Sequence, residues 1–447
     1  MDKISLKACA KLNLFLDIEG KRNDGYHLIK SVMQSIDIFD RISVEKNTLL
    51  SVECSESCLN GENNLAYKAA KLFFDETGIT GGAKIHIEKR IPMQAGMAGG
   101  SADAAAVLYA LNTLYESDIS PKGLCAMGTK LGADVPFSLC GGTMLSKGIG
   151  EELSPLPGLP DCFFVIVKPD AGMSTAESYR IYDEHAANGV EHGNISAMLD
   201  SVEGGDISGV SNELFNALEI TAPSAVLMVK DAVLNAGAAA TLMTGSGTAV
   251  FGIFCDIEKA AAAKAALEKE YSSVFIARPS QTGVSPDESA AVFDRLSSLG
   301  IKYECINHPA VYTMNEMYAL GIFDKGIVGK NLFLRDAKGH RHFLVFVYGD
   351  KHVSLADIQE KLNITRCSFG SAERLQKYLG LTKGSVSPLG VVNDGNAAVE
   401  FIIDKDFIGC PCVGVHPNRN TSTLWLSFDD LLKVIKSNGN NVSFVDI

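Results

Sequence analysis

Three glycines and a serine lie close together in the stretch PMQAGMAGGSADAA, which begins at Pro92. Glycine lets the backbone approach a ligand closely and adopts positive φ angles without strain. The segment from Ser101 to Tyr115 has apolar residues at helical spacing, and serine often caps the start of a helix. Because a helix amino terminus offers free N–H groups and a partial positive charge, it favours phosphate. The stretch therefore predicts an anion-binding loop and a helix capped by Ser101.

Neither of the two common phosphate-binding motifs matches this loop. The P-loop needs a lysine directly after its last glycine, but Ser101 follows Gly100. The dinucleotide-binding fingerprint is interrupted by Ala98 and Ser101. A tight turn between a strand and a helix, with glycines present for packing, is therefore the alternative to an anion site.

Polar residues also stand inside apolar segments elsewhere in the first part of the chain. Lys11 and Asn13 lie in the strand-like segment KACAKLNLFL, where burial is costly unless the polar groups are paired. Asp134 precedes an apolar segment, and the turn Gly245–Ser246–Gly247 separates two apolar strands. Taken singly, each feature is also consistent with a purely structural ion pair or hairpin.

Composition indicates a globular protein with more than one domain. The 447 residues predict two or three domains, with 46% hydrophobic and 21% charged residues. The sequence shows no run of about 18 apolar residues and no signal peptide, so we expect no membrane span and a cytoplasmic location. The 11 cysteines lack zinc-site spacing, which favours reduced thiols.

The charge is divided unevenly along the chain. Of the net charge of −13, residues from Pro286 onward contribute 17 Lys and Arg against 18 Asp and Glu, and the earlier residues contribute 23 against 35. The acidic excess argues against nucleic-acid binding by the first part. The segment ARPSQTGVSPDES contains turn residues, and we expect a domain junction at about residue 284 with an amphipathic helix starting near Ser285 or Asp287.

Six segments of the first part, in this order, resemble the GHMP small-molecule kinases. They are AKLNLFL (from Ala10), DGYH (from Asp24), PMQAGMAGGSADAA (from Pro92), GADVPF (from Gly132), GGT (from Gly141) and TGSG (from Thr244). KLNLFL and DGYH together resemble the family that phosphorylates 4-diphosphocytidyl-2-C-methyl-D-erythritol (CDP-methylerythritol), in isoprenoid precursor synthesis. The resemblance implies a two-lobed α+β GHMP kinase fold, with an ATP-binding lobe over residues 1–155 and a second lobe over 156–283.

The same resemblance implies roles for individual residues. Asp134 would be the base, or at least the orienting group, for the substrate hydroxyl. Lys11 would lie near that hydroxyl and Asp134, favouring the carboxylate and stabilising the developing negative charge. Asn13 would bind the sugar-alcohol part, and Tyr26 and His27 would recognise the cytosine. The loop would hold ATP with Mg²⁺ through Pro92, Gln94, Ala95, Gly96, Met97, Ala98, Gly99, Gly100 and Ser101. The substrate would also contact Gly245 and Ser246.

The second part reads as a mixture of strands and short helices, so we expect an α+β domain over residues 284–447. KNLFLRD and HRHFLVFVYGD have the pattern of a β-hairpin, with Lys330 at the head of its first strand. The segments HPAVYT, GKNLFLRD, SFGSAERL, SPLG and GVHPN resemble the aminoacyl-tRNA deacylase domain of bacterial prolyl-tRNA synthetases, and most nearly the freestanding prolyl-tRNA-editing type. The resemblance covers about residues 286–436.

This second resemblance implies hydrolysis of a misacylated tRNA, with Ala-tRNA(Pro) as the expected substrate and no metal. Lys330 would be required for deacylation, and Gly414, His416 and Asn418 would shape the pocket. A basic excess around the hairpin suits an RNA end. It comprises Lys325, Lys330, Arg335, Lys338, Arg341 and Lys351.

Two alternatives stay open at this point. The first part could be a GHMP kinase for another small alcohol, such as homoserine or mevalonate. The second part could be a non-catalytic RNA-binding or interaction module. The sequence predicts no oligomeric state.

Overall fold

The computed structural model describes residues 2–186, 189–311, 314–349, 351–362, 364 and 366–447. The chain forms two compact units, Met1–Asp287 and Glu288–Ile447. Each unit has its own hydrophobic core, and both contain helices and strands. The expected α+β class is confirmed for both parts.

The amino-terminal unit is built on a long antiparallel hairpin. Its described strands are β1 (Lys3–Lys21), β2 (His27–Asn47), β3 (Ser51–Cys54), β4 (Gly82–Glu88), β5 (Thr143–Lys147), β6 (Glu152–Pro155), β7 (Phe163–Val167), β8 (Phe215–Asn216), β9 (Thr241–Met243), β10 (Val250–Phe254), β11 (Val274–Ala277) and β12 (Val284–Pro286). β1 and β2 pair along their whole length, and the polar turn between them carries Tyr26 as expected. The register shifts between Cys9 and Lys11 and again between Asn13 and Phe15.

The described strands of this unit form two sheets. The first has the order β12-β1-β2-β4-β3, with β5, β6 and β8 added at its side, and the second has the order β11-β7-β10-β9. β12 pairs antiparallel with β1, so that Ala8 lies opposite Val284 and Leu6 opposite Pro286. A boundary at residue 284 would therefore cut an edge strand away from its sheet.

Helices cover these sheets and supply some of the residues that line the candidate site. The described α-helices of this unit are α1 (Leu65–Thr77), α2 (Gly99–Leu114), α3 (Pro121–Thr129), α4 (Asp134–Cys140), α5 (Thr175–Ala186), α6 (Ile195–Glu203), α7 (Ile207–Asn212), α8 (Ser224–Asn235) and α9 (Ile257–Leu267). Most residues of α2 are buried, in keeping with its alanine-rich sequence, and the helix packs against α1, α4 and β1.

The start of α2 differs from the expected one. The helix begins at Gly99, and the residue before it, Ala98, has a left-handed backbone with φ 59° and ψ 29°. Ser101 therefore lies inside the first turn, so its predicted role as the cap is wrong. The expected helix near Ser285 or Asp287 is also misplaced, because residues 284–286 are a strand and the helix begins at Ala290.

The carboxyl-terminal unit has two further sheets. Its described strands are β13 (Glu304–Asn307), β14 (Ile327–Val328), β15 (Lys330–Asp336), β16 (His342–Val347), β17 (Cys367–Phe369), β18 (Val399–Asp404), β19 (Val413–Val415), β20 (Ser422–Leu426) and β21 (Val442–Val445). The described α-helices are α10 (Ala290–Ser298), α11 (Met314–Ala319), α12 (Leu355–Lys361), α13 (Ala372–Leu379) and α14 (Phe428–Ser437). The strand orders are β13-β20-β19-β14 and β17-β15-β16-β18-β21.

The predicted hairpin in this unit is confirmed. β15 and β16 are antiparallel, with Lys330 opposite Val347 and Arg335 opposite His342. Gly329 carries the chain from β14 in one sheet to β15 in the other. A β-carbon at this position would lie 2.3 Å from the ring of Phe346, so only glycine allows the crossing.

Candidate functional site

The glycine-rich loop forms one wall of a cavity of about 1410 Å³ in the amino-terminal unit. Gln94, Gly96 and Ala98 all have positive φ angles, of 50°, 74° and 59°. A β-carbon at Gly96 would lie 2.1 Å from the carbonyl oxygen of Thr244, so this glycine is required for close packing. The loop is thereby held against the TGSG turn, and the structure brings these two predicted segments together.

The amino end of α2 faces this loop without a side-chain cap. The backbone N–H of Ala102 donates to the carbonyl oxygen of Ala98 at 2.9 Å. The N–H groups of the three preceding residues lie ahead of that bond, as at the start of any helix. Gly99, Gly100 and Ser101 line the cavity, so this end of the helix can receive an anion.

Lys11, Asn13 and Asp134 meet at the same cavity. The Nζ of Lys11 donates to Oδ1 of Asn13 at 2.5 Å and lies 3.9 Å from Oδ2 of Asp134. Burial lowers the pKa of the Lys11 ammonium, and the charge of Asp134 raises it in part. The carboxylate of Asp134 is 37% exposed at the start of α4, so it can contact a ligand in the cavity, whereas the side chain of Lys11 is buried.

Asn13 is fixed by partners at both ends of its side chain. Its Nδ2 donates to Oγ of Ser31 at 2.8 Å, and its backbone N–H donates to Oγ1 of Thr244 at 2.9 Å. With Oδ1 accepting from Lys11, one N–H and one lone pair of the amide are left for a ligand. Asn13 therefore positions Lys11, and its predicted contact with the substrate stays a prediction.

Tyr26 and His27 also line the cavity, and His27 lies beside α5. The ring of Tyr26 is 59% exposed, whereas His27 stacks on Tyr179 with ring centroids 4.6 Å apart. The Nε2 of His27 lies 2.7 Å from Oδ1 of Asp183, and Nζ of Lys21 lies 2.5 Å from Oδ2. Burial acts to raise the pKa of Asp183, but the hydrogen bonds from Lys21 and His27 outweigh it and hold this pKa below its usual value.

Sequence reasoning did not identify Tyr179 or Asp183 as site residues. They lie one helical turn apart on α5, and the only signal for them was this spacing of an aromatic and an acidic residue.

Sequence reasoning also did not identify a buried charge cluster beneath the loop, in which Nζ of Lys89 lies 2.5 Å from Asp40 and 3.0 Å from Asp103. This cluster anchors the loop because Asp40 also accepts from the backbone N–H of Ile91 at 2.9 Å.

In the carboxyl-terminal unit, sheet register relates Lys330 to the predicted pocket loop. β14 and β19 are parallel, with Val328 opposite Gly414. Lys330 and His416 each lie two residues beyond that pair in the sequence. Both therefore follow the carboxyl ends of the two parallel strands, at the same edge of the sheet. The half-buried Lys330 donates from Nζ to the carbonyl oxygen of Lys351 at 3.2 Å.

Three of the motif segments meet around His416. The Nδ1 of His416 lies 2.9 Å from the carbonyl oxygen of Ser422, and the hydroxyl of Ser387 donates to the backbone carbonyl oxygen of His416. The ring of His308 lies 6.2 Å from that of His416, and its Nε2 is 3.0 Å from Oγ1 of Thr423. Tyr312 and Thr313 of the HPAVYT segment lie outside the described residues.

Both imidazoles are neutral at ordinary pH. Burial lowers the pKa of His308 to about 3, and it also lowers the pKa of His416. Because Nδ1 of His416 faces a carbonyl oxygen, it carries the proton, which leaves a lone pair on Nε2.

Asn418 is buried, at 2% exposure, with a positive φ of 61°. Neither Oδ1 nor Nδ2 of its amide has a hydrogen-bond partner among the described residues. A buried amide without partners is rare in proteins and offers a donor and an acceptor to a bound molecule. Gly414 packs directly on Trp425, and a β-carbon there would lie 2.8 Å from the indole ring.

Three of the six residues in the expected basic excess around the hairpin pair with acidic residues from other segments. Lys325 pairs with Glu304, and Nε of Arg341 lies 2.6 Å from Glu400. Lys351 pairs with Asp404 and Asp406, at 2.9 and 2.7 Å. Counting charges within one stretch of sequence missed these partners, so the basic surface is smaller than the sequence suggests.

Two further findings concern the described ranges alone. They contain no group of three or more His, Cys, Asp and Glu side chains that could hold a metal ion. They also contain no helix with the length and apolar character that crossing a bilayer requires.

Comparison with protein families gives three matches along the chain. Residues 64–142 match the GHMP kinases N terminal domain, and residues 198–273 match the GHMP kinases C terminal domain. Residues 308–434 match the aminoacyl-tRNA editing domain.

Individual relatives agree with the first two matches. A 4-diphosphocytidyl-2-C-methyl-D-erythritol kinase of Clostridium botulinum (strain Eklund 17B / Type B) is 41% identical over 280 residues, which are 62% of this chain and 99% of the relative. One from Lachnoclostridium phytofermentans is 44% identical over 269 residues, 58% of this chain and 91% of the relative. A crystal structure of 4-(cytidine 5'-diphospho)-2C-methyl-D-erythritol kinase has 33% identity and a TM-score of 0.54, over 62% of this chain and 99% of that one. The chain therefore belongs to the GHMP kinases, in the family of the 4-diphosphocytidyl-2-C-methyl-D-erythritol kinases, and it carries an aminoacyl-tRNA editing domain after the kinase.

Proposed function

We propose that the amino-terminal unit transfers the γ-phosphoryl group of ATP to the 2-hydroxyl of CDP-methylerythritol, a step in non-mevalonate isoprenoid precursor synthesis. The observation that carries this proposal is the pair Lys11 and Asp134, 3.9 Å apart, in the same cavity as the glycine-rich loop. The kinase names of the relatives support the choice of substrate.

The ATP phosphates bind at the loop and the amino end of α2. The N–H groups of Gly99, Gly100 and Ser101 donate to phosphate oxygens, and the helix dipole adds a partial positive charge. The loop thus does the work that a lysine side chain does in a P-loop.

Asp134 acts on the acceptor hydroxyl. One carboxylate oxygen takes the hydroxyl proton as the substrate oxygen attacks the γ-phosphorus, the bond to the β-phosphate breaks, and ADP leaves. The ammonium of Lys11 offsets the negative charge that collects around the transferred group. Positioning is the main contribution, because the two side chains are held by β1 and α4 before the substrate arrives.

The cytidine end of the substrate binds between the β1–β2 turn and α5. Tyr26 offers an exposed ring for stacking on the base, and Tyr179 extends the same aromatic wall. His27 donates from Nε2 to Asp183, which leaves Nδ1 with a lone pair for the exocyclic amine of cytosine.

Mg²⁺ is the cation expected with ATP in this family. It often binds through one or two protein oxygens, several waters and the substrate phosphates, so it does not need a cluster of three acidic residues. The Ser101 hydroxyl and the second oxygen of Asp134 lie in the wall of the cavity and fit this requirement. When bound, the ion neutralises charge on the β- and γ-phosphate oxygens.

The kinase proposal is tested by turnover of the full chain with ATP and a panel of acceptors. We expect ADP formation with CDP-methylerythritol at a rate on the order of 1–100 s⁻¹, and none with mevalonate or homoserine. Turnover with either of these alcohols and not with CDP-methylerythritol would favour the alternative kinase.

For the carboxyl-terminal unit we propose hydrolysis of a misacylated tRNA, with Ala-tRNA(Pro) as the substrate. The match to the aminoacyl-tRNA editing domain supports editing, and the amide of Asn418 without partners supports a ligand pocket beside His416. Lys330 polarises the ester carbonyl or holds the tRNA 3′ end, and the attack comes from water or from a ribose hydroxyl. No metal takes part in this step.

This second proposal is tested by release of alanine from Ala-tRNA(Pro), with Pro-tRNA(Pro) and Ala-tRNA(Ala) as comparisons. We expect release from Ala-tRNA(Pro) alone. Binding of the tRNA without release of any amino acid would favour the RNA-binding module instead. Release from another mischarged tRNA would keep the editing activity and replace the substrate.

A further inference from the structure

Two cysteines on neighbouring helices have their sulfur atoms close together. Cys125 lies in α3, Cys140 is the last residue of α4, and their Sγ atoms are 3.9 Å apart. A disulfide has a sulfur–sulfur distance of about 2.05 Å, so closing the pair needs a movement of about 2 Å. Rotation of the exposed side chain of Cys140, which ends its helix, together with a small shift of that helix end can supply this movement.

The two thiols differ in a way that suits oxidation. Cys140 is exposed, and a hydrogen bond from Cys125 lowers its pKa to about 7. The same hydrogen bond, together with burial, raises the pKa of Cys125. Because the thiolate is the reactive form, Cys140 reacts first with an oxidant and Cys125 is placed to react second.

We propose that Cys125 and Cys140 form a redox modification site, which hydrogen peroxide closes to a disulfide and low-molecular-weight thiols reopen. The Cys140 thiolate attacks one peroxide oxygen, the O–O bond breaks, and a sulfenic acid and hydroxide form. The sulfur of Cys125 then attacks Sγ of Cys140, an S–S bond forms, and the sulfenic oxygen leaves as water. In sum, two thiols and one peroxide give one disulfide and two waters.

Closing this bond would act on the proposed kinase site through α4. Asp134 is the first residue of this helix and Cys140 the last, so the two are about 9 Å apart along the axis of one rigid element. Drawing the end of α4 toward α3 tilts the helix and changes the position of the carboxylate relative to Lys11. The disulfide itself does not depend on the proposed function, whereas its effect on turnover does.

The experiment treats the full chain with hydrogen peroxide and follows it by mass spectrometry and by kinase assay. We expect a loss of about 2 Da, as for two thiols joined in one disulfide, and a cross-linked peptide pair containing positions 125 and 140. Because small displacements of reacting groups are costly, we also expect kcat to fall about tenfold and to recover with dithiothreitol.

Cys125→Ser and Cys140→Ser should each lack the cross-link and resist inhibition, while Cys255→Ser is the matched control because Cys255 is also exposed. Failure to form the cross-link in the folded chain would overturn the modification site. A cross-link without loss of kcat would keep the site and overturn its effect on α4. Inhibition that persists in Cys140→Ser, for example through the exposed Cys58 in the cavity wall, would also overturn that effect. If the untreated chain has no kinase activity, the proposed function fails, and the cross-link still decides the site.

Discussion

At the scale of single residues, the kinase site contains a buried lysine, Lys11. Burying a charged group costs free energy unless the group is paired, so we expect this charge to take part in binding or in the reaction. Its Nζ is held by Asn13 at 2.5 Å, which aims it at Asp134. The sequence singled out Lys11 and Asn13, because a lysine and an asparagine in an apolar strand need partners, but Asp134 was placed near Lys11 only by the resemblance to the kinase family. What the sequence could not give was the 3.9 Å separation, which depends on where α4 begins.

Lys11 and Asp134 are expected to act as a unit. Asp134→Asn should lower kcat by about 10²-fold or more, since general-base contributions are of this size. Lys11→Ala should have a large effect in the wild type and a much smaller one in the Asp134→Asn background. The measurement is steady-state turnover with ATP and CDP-methylerythritol. Full additivity of the two losses would contradict the coupled pair.

Asp183 is expected to determine substrate affinity through His27. Asp183→Asn removes the carboxylate that holds the proton of His27 on Nε2, and so disturbs the hydrogen bond of Nδ1 to the base. We expect the KM for CDP-methylerythritol to rise about tenfold, or about 1.4 kcal/mol, with little change in kcat. Glu184→Gln is the matched control, because Glu184 is the next residue on α5 and pairs with Arg180 at the surface. Equal KM values in both variants would refute this role.

Asp183 and Tyr179 show why part of the site was not predictable at the residue scale. His27 and Asp183 are 156 positions apart in the sequence, and their contact depends on how α5 lies against the β1–β2 turn. An acidic residue on an amphipathic helix is ordinarily solvated, so its spacing from Tyr179 was too weak a signal to set Asp183 apart.

At the scale of elements, the phosphate loop depends on backbone geometry more than on side chains. The left-handed conformation of Ala98 starts α2 at Gly99, and this start leaves the N–H groups of residues 99–101 at the cavity. The preference of serine for cap positions suggested that the helix starts after Ser101. This was wrong, because the backbone conformation of Ala98, and not a side-chain cap, sets the start of the helix.

Two glycines of this loop are expected to respond differently to substitution. A β-carbon at Gly100 meets no atom of the described residues within 4 Å, so Gly100→Val should fold normally and fill space that the ATP phosphates need. We expect its KM for ATP to rise at least about tenfold, with an unchanged Tm. Gly96→Ala should instead lower the Tm, because its β-carbon would lie 2.1 Å from Thr244. Unchanged ATP kinetics in Gly100→Val would rule out this loop as the phosphate site.

The histidines of the editing unit predict a pH dependence of stability. The pKa of His308 is lowered by burial to about 3, whereas a histidine in an unfolded chain titrates near about 6.5. Between these values the unfolded state binds more protons, so the free energy of unfolding should fall as the pH decreases from about 6.5 toward 3. Urea unfolding of residues 288–447 at neutral pH and at about pH 5 measures the change, and His308→Asn should reduce it. Equal stability of the wild-type fragment at both pH values would contradict this expectation.

At the scale of the whole molecule, the order of the two parts was predictable and their exact limits were not. Motif residues such as DGYH and GVHPN are local, and their order indicated a kinase followed by an editing domain, in agreement with the family matches. The limit near residue 284 was set by turn residues alone. The pairing of β12 with β1 is a contact over more than 270 positions, which no local pattern reveals.

We expect the two units to work as separate enzymes, since each has its own core and its own candidate site. A fragment of residues 1–287 should keep the kinase activity, and a fragment of residues 288–447 should keep the deacylase activity. Shortening the first fragment to residue 283 removes β12 from the edge of its sheet, and its Tm should fall below that of 1–287.

In the full chain, Lys330→Ala should abolish release of alanine from Ala-tRNA(Pro) and leave the kinase rate unchanged, because an uncharged side chain cannot polarise the ester or hold a phosphate. Lys338→Ala is the matched control, as Lys338 lies in the turn of the same hairpin and outside the proposed pocket. Loss of kinase activity in Lys330→Ala, or equal deacylase activity in both lysine variants, would refute this assignment.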